Sequence, residues 1–125
     1  MLRLLTSTDS SAYQHLRLTS LRTDPLSFSS SYELEATYPP GYFADRIRYA
    51  TRHPIYGIYG LLENDKLIAA AQISLEYHVK QRHIANVYEV YVMPQNRRSG
   101  HATTLLTHII ARAKSDPQLE QIHLR

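Results

Sequence analysis

Val90-Tyr91-Val92-Met93-Pro94-Gln95-Asn96-Arg97-Arg98-Ser99-Gly100-His101-Ala102 decides the fold, because it reads as a strand end, a polar turn and a helix start. The helix that follows has the clearest pattern in the chain. Ala102, Leu105, Leu106, Ile109, Ile110 and Ala113 recur at the spacing of one helical face, and Ser115-Asp116-Pro117 stops it. The first-turn N–H groups of such a helix lack intrahelical acceptors, and its dipole places partial positive charge there. Gly100 puts no side chain between that backbone and a ligand, and Arg97 and Arg98 stand beside it. Backbone amides disposed in this way cradle phosphate.

Before this stretch the period is that of strands. Residues 55–62 and 67–77 read as a hairpin closed by Glu63-Asn64-Asp65-Lys66, and residues 84–92 as a third strand. At the start, residues 2–6 read as a short strand. Thr8 or Asp9 then caps a helix over 11–22, with Ala12, Leu16 and Leu21 inward, ended by Asp24-Pro25. The serine-rich stretch 26–37 reads as a loop with some helix. Pro39-Pro40-Gly41 opens a helix reaching about Arg52, with Phe43, Ile47 and Ala50 on one face, and a last strand begins at Ile122.

The 125 residues suffice for one domain. Hydrophobic residues at 43% and charged residues at 20% are the mix of a soluble globular chain. The longest aliphatic run, Leu67-Ile68-Ala69-Ala70-Ala71, is far too short to span a bilayer, and Met1-Leu2-Arg3-Leu4-Leu5 reaches Thr6 and Asp9 too early for a signal-peptide core. The expectation is a cytoplasmic protein without membrane contact. The chain has no cysteine, which excludes disulfides, thiolate catalysis and Cys-ligated zinc within it, and its histidines lack paired metal spacing. Between His78 and His101, Lys80, Arg82, Arg97 and Arg98 stand against Glu89, so this window carries the whole formal charge of +3. A local basic surface suits an anionic ligand, phosphate first. Nucleic acid is not expected, since no lysine-rich face or aromatic–glycine RNA-binding pattern is present.

Neither a Walker A loop nor a Rossmann glycine turn occurs. What occurs is Arg97-x-x-Gly100-x-Ala102 after a strand ending Val92-x-Pro94. This resembles the coenzyme A motif of the GNAT superfamily of N-acetyltransferases, Gln/Arg-x-x-Gly-x-Gly/Ala, and the order of strands and helices on both sides is similar to that family's. The resemblance implies an α/β fold with a mixed, largely antiparallel sheet flanked by helices. It implies acetyl-CoA as co-substrate, no metal, and transfer of an acetyl group to a primary amine by direct attack, without a covalent acetyl-enzyme. It spans residues 1–125 as a single domain. The family's domain normally continues past the strand starting at Ile122 with a helix and two more strands, so the domain is expected to be incomplete at its C-terminus. A non-catalytic acyl-CoA-binding module, or an inactive fragment, is the competing reading.

Residue by residue, the resemblance places the backbone of Arg97, Arg98, Ser99, Gly100, His101, Ala102 and Thr103 on the pyrophosphate. It places the main chain of Val90, Tyr91 and Val92 alongside pantetheine, with the Val90 amide facing the thioester oxygen. Loss of a proton from the attacking ammonium needs a base or a water chain. Glu89 and Tyr88 hold the positions where relatives carry acidic residues, and strand alternation puts them on opposite faces, so only one would reach the cleft. Asn86 shares the face of Tyr88, and its amide is no base. Phe28, Tyr32, Glu33 and Glu35 lie in the segment that overhangs the acceptor site, where two carboxylates would suit a cationic amine or simply face water. His101 reads as a solvent-facing first-turn residue. A strand at Ile122 with an open edge, next to a helix stripe short of sheet to cover, leads to the expectation of a homodimer.

Overall fold

A computed structural model describes residues 1–28, 30–39, 41–76, 80 and 83–125. In chain order it contains β1 (Leu2–Leu4), α1 (Ser10–Thr23), α2 (Tyr32–Glu35), α3 (Gly41–Ala50), β2 (Gly57–Glu63), β3 (Lys66–Leu75), β4 (Ile84–Val92), α4 (His101–Ala113) and β5 (Gln121–Leu124). The strands form one sheet in the order β1-β2-β3-β4-β5. The first four pair antiparallel, and β5 lies parallel to β4. This is the mixed, largely antiparallel sheet that the resemblance implied.

Local chemistry explains most boundaries. Asn64 and Asp65 both take positive φ, 51° and 63°, in the two-residue turn that pairs Glu63 with Lys66; these are residue types that tolerate such a turn. Before α1, the Asp9 carboxylate accepts from the Thr6 N–H at 2.8 Å and takes both arms of the Arg3 guanidinium at 2.8 and 2.9 Å. Asp24 ends α1 one residue before Pro25. The second helix is shorter than its pattern suggested, running from Gly41 to Ala50. The expected connection over 78–83 falls mainly outside the described residues, as do His78 and Arg82 of the basic window.

The sheet is covered on both faces. α4 lies on one, with Leu105, Ile109 and Ala113 sealed among Tyr59, Ala69, Ala71, Ile73, Ala85 and Val87. On the other, α1 and α3 set Tyr13, Leu16, Phe43 and Ile47 against Ile58, Ala70, Tyr91 and Met93. Burying a side chain such as Leu105 contributes about 1.5–3 kcal/mol. Leu105 and Ile109 are 0% exposed, while Leu106 and Ile110 of the same stripe are half-buried. β5 forms one edge of the sheet, with Leu124 exposed and Ile122 half-buried.

One irregularity in β4 positions everything that follows. Ala70 pairs with Tyr91 and Gln72 with Tyr88, so Ala71 alone stands opposite both Glu89 and Val90. Glu89 adopts φ 54°. An extra residue of this kind is a β-bulge, which kinks the strand and leaves one residue out of the ladder. It also resets the alternation of side chains. Tyr88 points toward Ser74 (hydroxyls 3.4 Å apart) beside Tyr49, and Glu89 reaches Arg46 of α3. Tyr88 and Glu89 therefore share the α3 side of the sheet, and the expectation that they face opposite ways is corrected.

Candidate active site

β5 pairs with β4 from Ile84 to Val87, and among the described residues the edge of β4 from Tyr88 to Val92 has no strand on that side. Where that edge meets the start of α4, a cleft of about 450 Å³ opens. Val90, Tyr91, Val92, Arg97, Arg98, Gly100, His101, Ala102 and Thr103 all line it. Of the residues expected at a cofactor, only Ser99 is not in its wall.

The helix start has the properties its sequence suggested. The first intrahelical bond runs from the Thr104 N–H to the Gly100 carbonyl at 3.0 Å. Among the described residues, no group accepts from the N–H of Gly100, His101, Ala102 or Thr103. Gly100 is the N-cap at φ 76°, a left-handed conformation that glycine adopts without steric cost. A Cβ built there would meet nothing within 4 Å, so open space lies above the unpaired amides. This geometry fits a pyrophosphate. Arg98 is exposed at φ 64°.

Two details differ from expectation. The Arg97 guanidinium is committed: it pairs with Asp24 at 2.5 Å, donates from Nε to the Val92 carbonyl at 3.1 Å, and stacks 5.1 Å from the Tyr91 ring centre. His101 is not solvent-facing; its side chain is 18% exposed and its Nε2 lies 3.9 Å from Glu63. Asp24 and Phe28 complete the cleft wall, and the sequence offered no signal for Asp24 beyond its place before a proline.

Behind this cleft lies a charged cluster. Glu89 Oε1 is 3.3 Å from Arg17, and Oε2 is 2.5 Å from Arg46. Arg17 also forms a bidentate pair with Glu35 at 3.0 and 2.9 Å. Arg17 and Glu35 are 6% and 2% exposed. Burial pushes the Glu35 carboxyl up, but the Arg17 hydrogen bonds, a Ser30 hydrogen bond and the charges of Arg17 and Arg46 outweigh it, so it sits below the usual carboxylate range. Burial also drives the nearby Tyr13 phenol up to about 12, which keeps it neutral and rules it out as a base near neutral pH. Of the two readings of Glu33 and Glu35, Glu33 faces water, and Glu35 fits neither, since it is sealed against Arg17. Tyr32 accepts a hydrogen bond from Arg22 at 2.6 Å, and Asn86 donates to Glu76 at 2.6 Å.

Glu89 borders a small cavity whose wall includes Phe28 and Tyr91, shared with the first cleft, and Gln72. Gln72 in turn borders a second open cleft, of about 340 Å³, next to Tyr88. The bulge therefore sits between the two clefts on the α1–α3 side of the sheet, with Phe28 and Tyr91 walling one side of the small cavity and Gln72 the other. Among the described residues, no group of three or more His, Asp or Glu is placed to hold a metal, and no helix is long and apolar enough to cross a membrane.

Residues 16–125 match the Acetyltransferase (GNAT) family, and the chain belongs to that family. It is similar in fold to an acetyltransferase of the GNAT family from Streptococcus pneumoniae, with a TM-score of 0.82 at 17% identity over 99% of this chain and 72% of the other. A ribosomal-protein-alanine N-acetyltransferase from Brucella melitensis biovar Abortus superimposes with a TM-score of 0.73 at 13% identity, over 100% of this chain and 78% of that one. An aminoglycoside acetyltransferase from an uncultured soil metagenomic sample gives 0.70 at 15%, over 100% and 78%. No curated protein matches the chain by sequence. Family membership assigns the chain to acyl transfer in general, and members generally use acetyl-CoA.

Proposed function

We propose that the chain is an acetyl-CoA-dependent N-acetyltransferase acting on a primary amine. The observation that carries this reading is the meeting of an unpaired strand edge with four free amides at the start of α4, in one cleft. Acetyl-CoA would supply a thioester whose carbonyl carbon the neutral amine attacks. The C–N bond forms, the C–S bond breaks with its electron pair on sulfur, the nitrogen sheds its surplus proton, and the CoA thiolate takes one up from solvent to leave as the thiol. The amides of Gly100 through Thr103 hold the pyrophosphate, with Arg98 adding charge beside it. The open edge of Val90, Tyr91 and Val92 aligns the pantetheine as an added strand would be aligned. At the bulge, the Val90 N–H faces the carbonyl oxygen as negative charge develops there. Tyr88 and Glu89 are the polar side chains at the bulge of β4 on the acceptor side. Self-association through the open edge of β5, and residence in the cytoplasm, belong to the same proposal.

The test is binding. CoA and acetyl-CoA are expected to raise the melting temperature, since a ligand selective for the folded state stabilises it by about 2.7 kcal/mol at a hundredfold excess over Kd. A folded protein showing no shift at millimolar CoA would overturn the proposal.

Glu89 is the proton acceptor in this reading. Each of its oxygens already faces one guanidinium, but a carboxylate has about four lone-pair sites, so two remain for a water or the amine. Glu89→Gln is expected to lower kcat/KM by about a hundredfold and to flatten the acidic limb of the pH-rate profile, with CoA affinity unchanged. A variant with an unaltered profile would hand the proton to solvent and leave Glu89 as a pin for the bulge.

A further inference from the structure

We infer that the acceptor is a small amine that also carries a carboxylate, an amino-acid-like molecule rather than a polycation, with Arg52 receiving the carboxylate. This rests on the proposed acetyl transfer and concerns the second cleft, which Tyr88 at the edge of the bulge lines. The second cleft is lined by Tyr49, Arg52, His53, Tyr56, Gln72 and Tyr88, among others. Among these lining residues Arg52 bears the formal charge, and no carboxylate is present.

Arg52 is held ready rather than neutralised. Its Nε donates to the Tyr49 carbonyl at 3.0 Å and its guanidinium stacks 4.3 Å from the Tyr49 ring centre. No described carboxylate pairs with it, so its outer nitrogens keep their donors for a ligand. A planar fork of this kind matches a carboxylate in two hydrogen bonds. Beside it, the His53 Nδ1 accepts from the Ile55 N–H at 3.0 Å; in the neutral ring the proton then sits on Nε2, a second donor. Tyr49 and Tyr88 give the body of the acceptor apolar ring surface.

The carboxylates that a polyamine or aminoglycoside would need are elsewhere engaged. Glu35 is buried against Arg17, and Glu89 lies between Arg17 and Arg46. Glu76, further along the face, is tied to Asn86 and lies 3.8 Å from Arg125. A single amine entering from this cleft meets the bulge with its positive charge shed, while an anionic group trailing behind it meets Arg52. An acceptor with several ammonium groups meets arginine and no free acid.

The experiment compares a panel of L-amino acids, the matching L-amino acid amides and spermidine as acceptors. In parallel, N-acetylated acids and amides are titrated as product ligands in saturating CoA, which reads the site without turnover. The acids are expected to exceed their amides by about tenfold or more in kcat/KM and in product affinity, the scale of one charge-assisted pair. Arg52 is exposed, so Arg52→Gln is expected to keep the melting temperature and the CoA shift while reducing that preference to within about threefold. Amides or spermidine performing as well as the acids, an acid preference unchanged in Arg52→Gln, or no panel member bound in the presence of CoA would each overturn the inference. The CoA shift is scored separately, so absence of that shift marks failure of the acetyl-CoA reading, and its presence with no acid preference marks failure of this one.

Discussion

Glu35→Gln is expected to lower the melting temperature at pH 7 by roughly 10–15 °C, corresponding to about 3–5 kcal/mol for breaking a buried ion pair by removing one partner. The size follows from what is left behind. Arg17, 6% exposed, would keep at most one of its two hydrogen bonds at 3.0 and 2.9 Å, face an amide NH2 in place of the other acceptor, and retain a single ion pair, with Glu89 at 3.3 Å. The pH dependence has a definite sign. The Glu35 carboxyl is held below its ordinary value, so its contribution is complete above the unfolded value of about 4.3 and fades as pH falls through the lower folded value. Wild type and variant are therefore expected to differ fully at pH 6–7 and to converge only as pH falls below the ordinary carboxylate range, where the folded carboxyl takes up its proton. Replacing both partners, Arg17→Leu with Glu35→Leu, is expected to recover much of the loss, since no uncompensated charge stays buried. Thermal denaturation across pH decides it: a shift under about 3 °C at pH 7, or a double variant weaker than the single, would show that the pair does not anchor α2.

That pair also shows why part of the site was hidden in the sequence. Glu33 and Glu35 stand two apart in α2, so they lie on nearly opposite sides of the helix. One is exposed and the other sealed, and composition treats them alike. Arg17 follows Leu16 directly in α1, at a position the apolar pattern assigns to neither face. Only the packing of α2 over α1 makes it an interior residue. The bulge was equally silent, because Glu89 takes a positive φ without the glycine that usually announces one. With the bulge unseen, strict alternation gave the wrong relation between Tyr88 and Glu89. By contrast, α4, the Asn64-Asp65 hairpin and the phosphate-sized loop were legible, since each follows from local periodicity, turn chemistry or a glycine in sequence. Those features depend on neighbours a few residues away; the charged cluster and the Arg97–Asp24 pair depend on residues far apart in the chain.

Gly100 is where a single side chain is expected to separate binding from folding. Its φ of 76° and the empty space above it make two different demands, and two substitutions divide them. Valine adds bulk and is β-branched in a left-handed conformation, so Gly100→Val is expected to cost about 1–2 kcal/mol of stability in addition to any loss of binding. Asparagine tolerates that conformation, so Gly100→Asn is expected to fold with a melting temperature near wild type and with α4 intact. Its side chain would nonetheless project into the space over the N–H groups of His101, Ala102 and Thr103. Losing access to one or two charge-assisted hydrogen bonds there corresponds to about a hundredfold in CoA affinity. Calorimetric titration of CoA into both variants, beside their unliganded melting curves, separates the contributions. If Gly100→Asn binds CoA within about threefold of wild type, the pyrophosphate does not sit on these amides, and the cleft at the start of α4 holds some other part of the ligand.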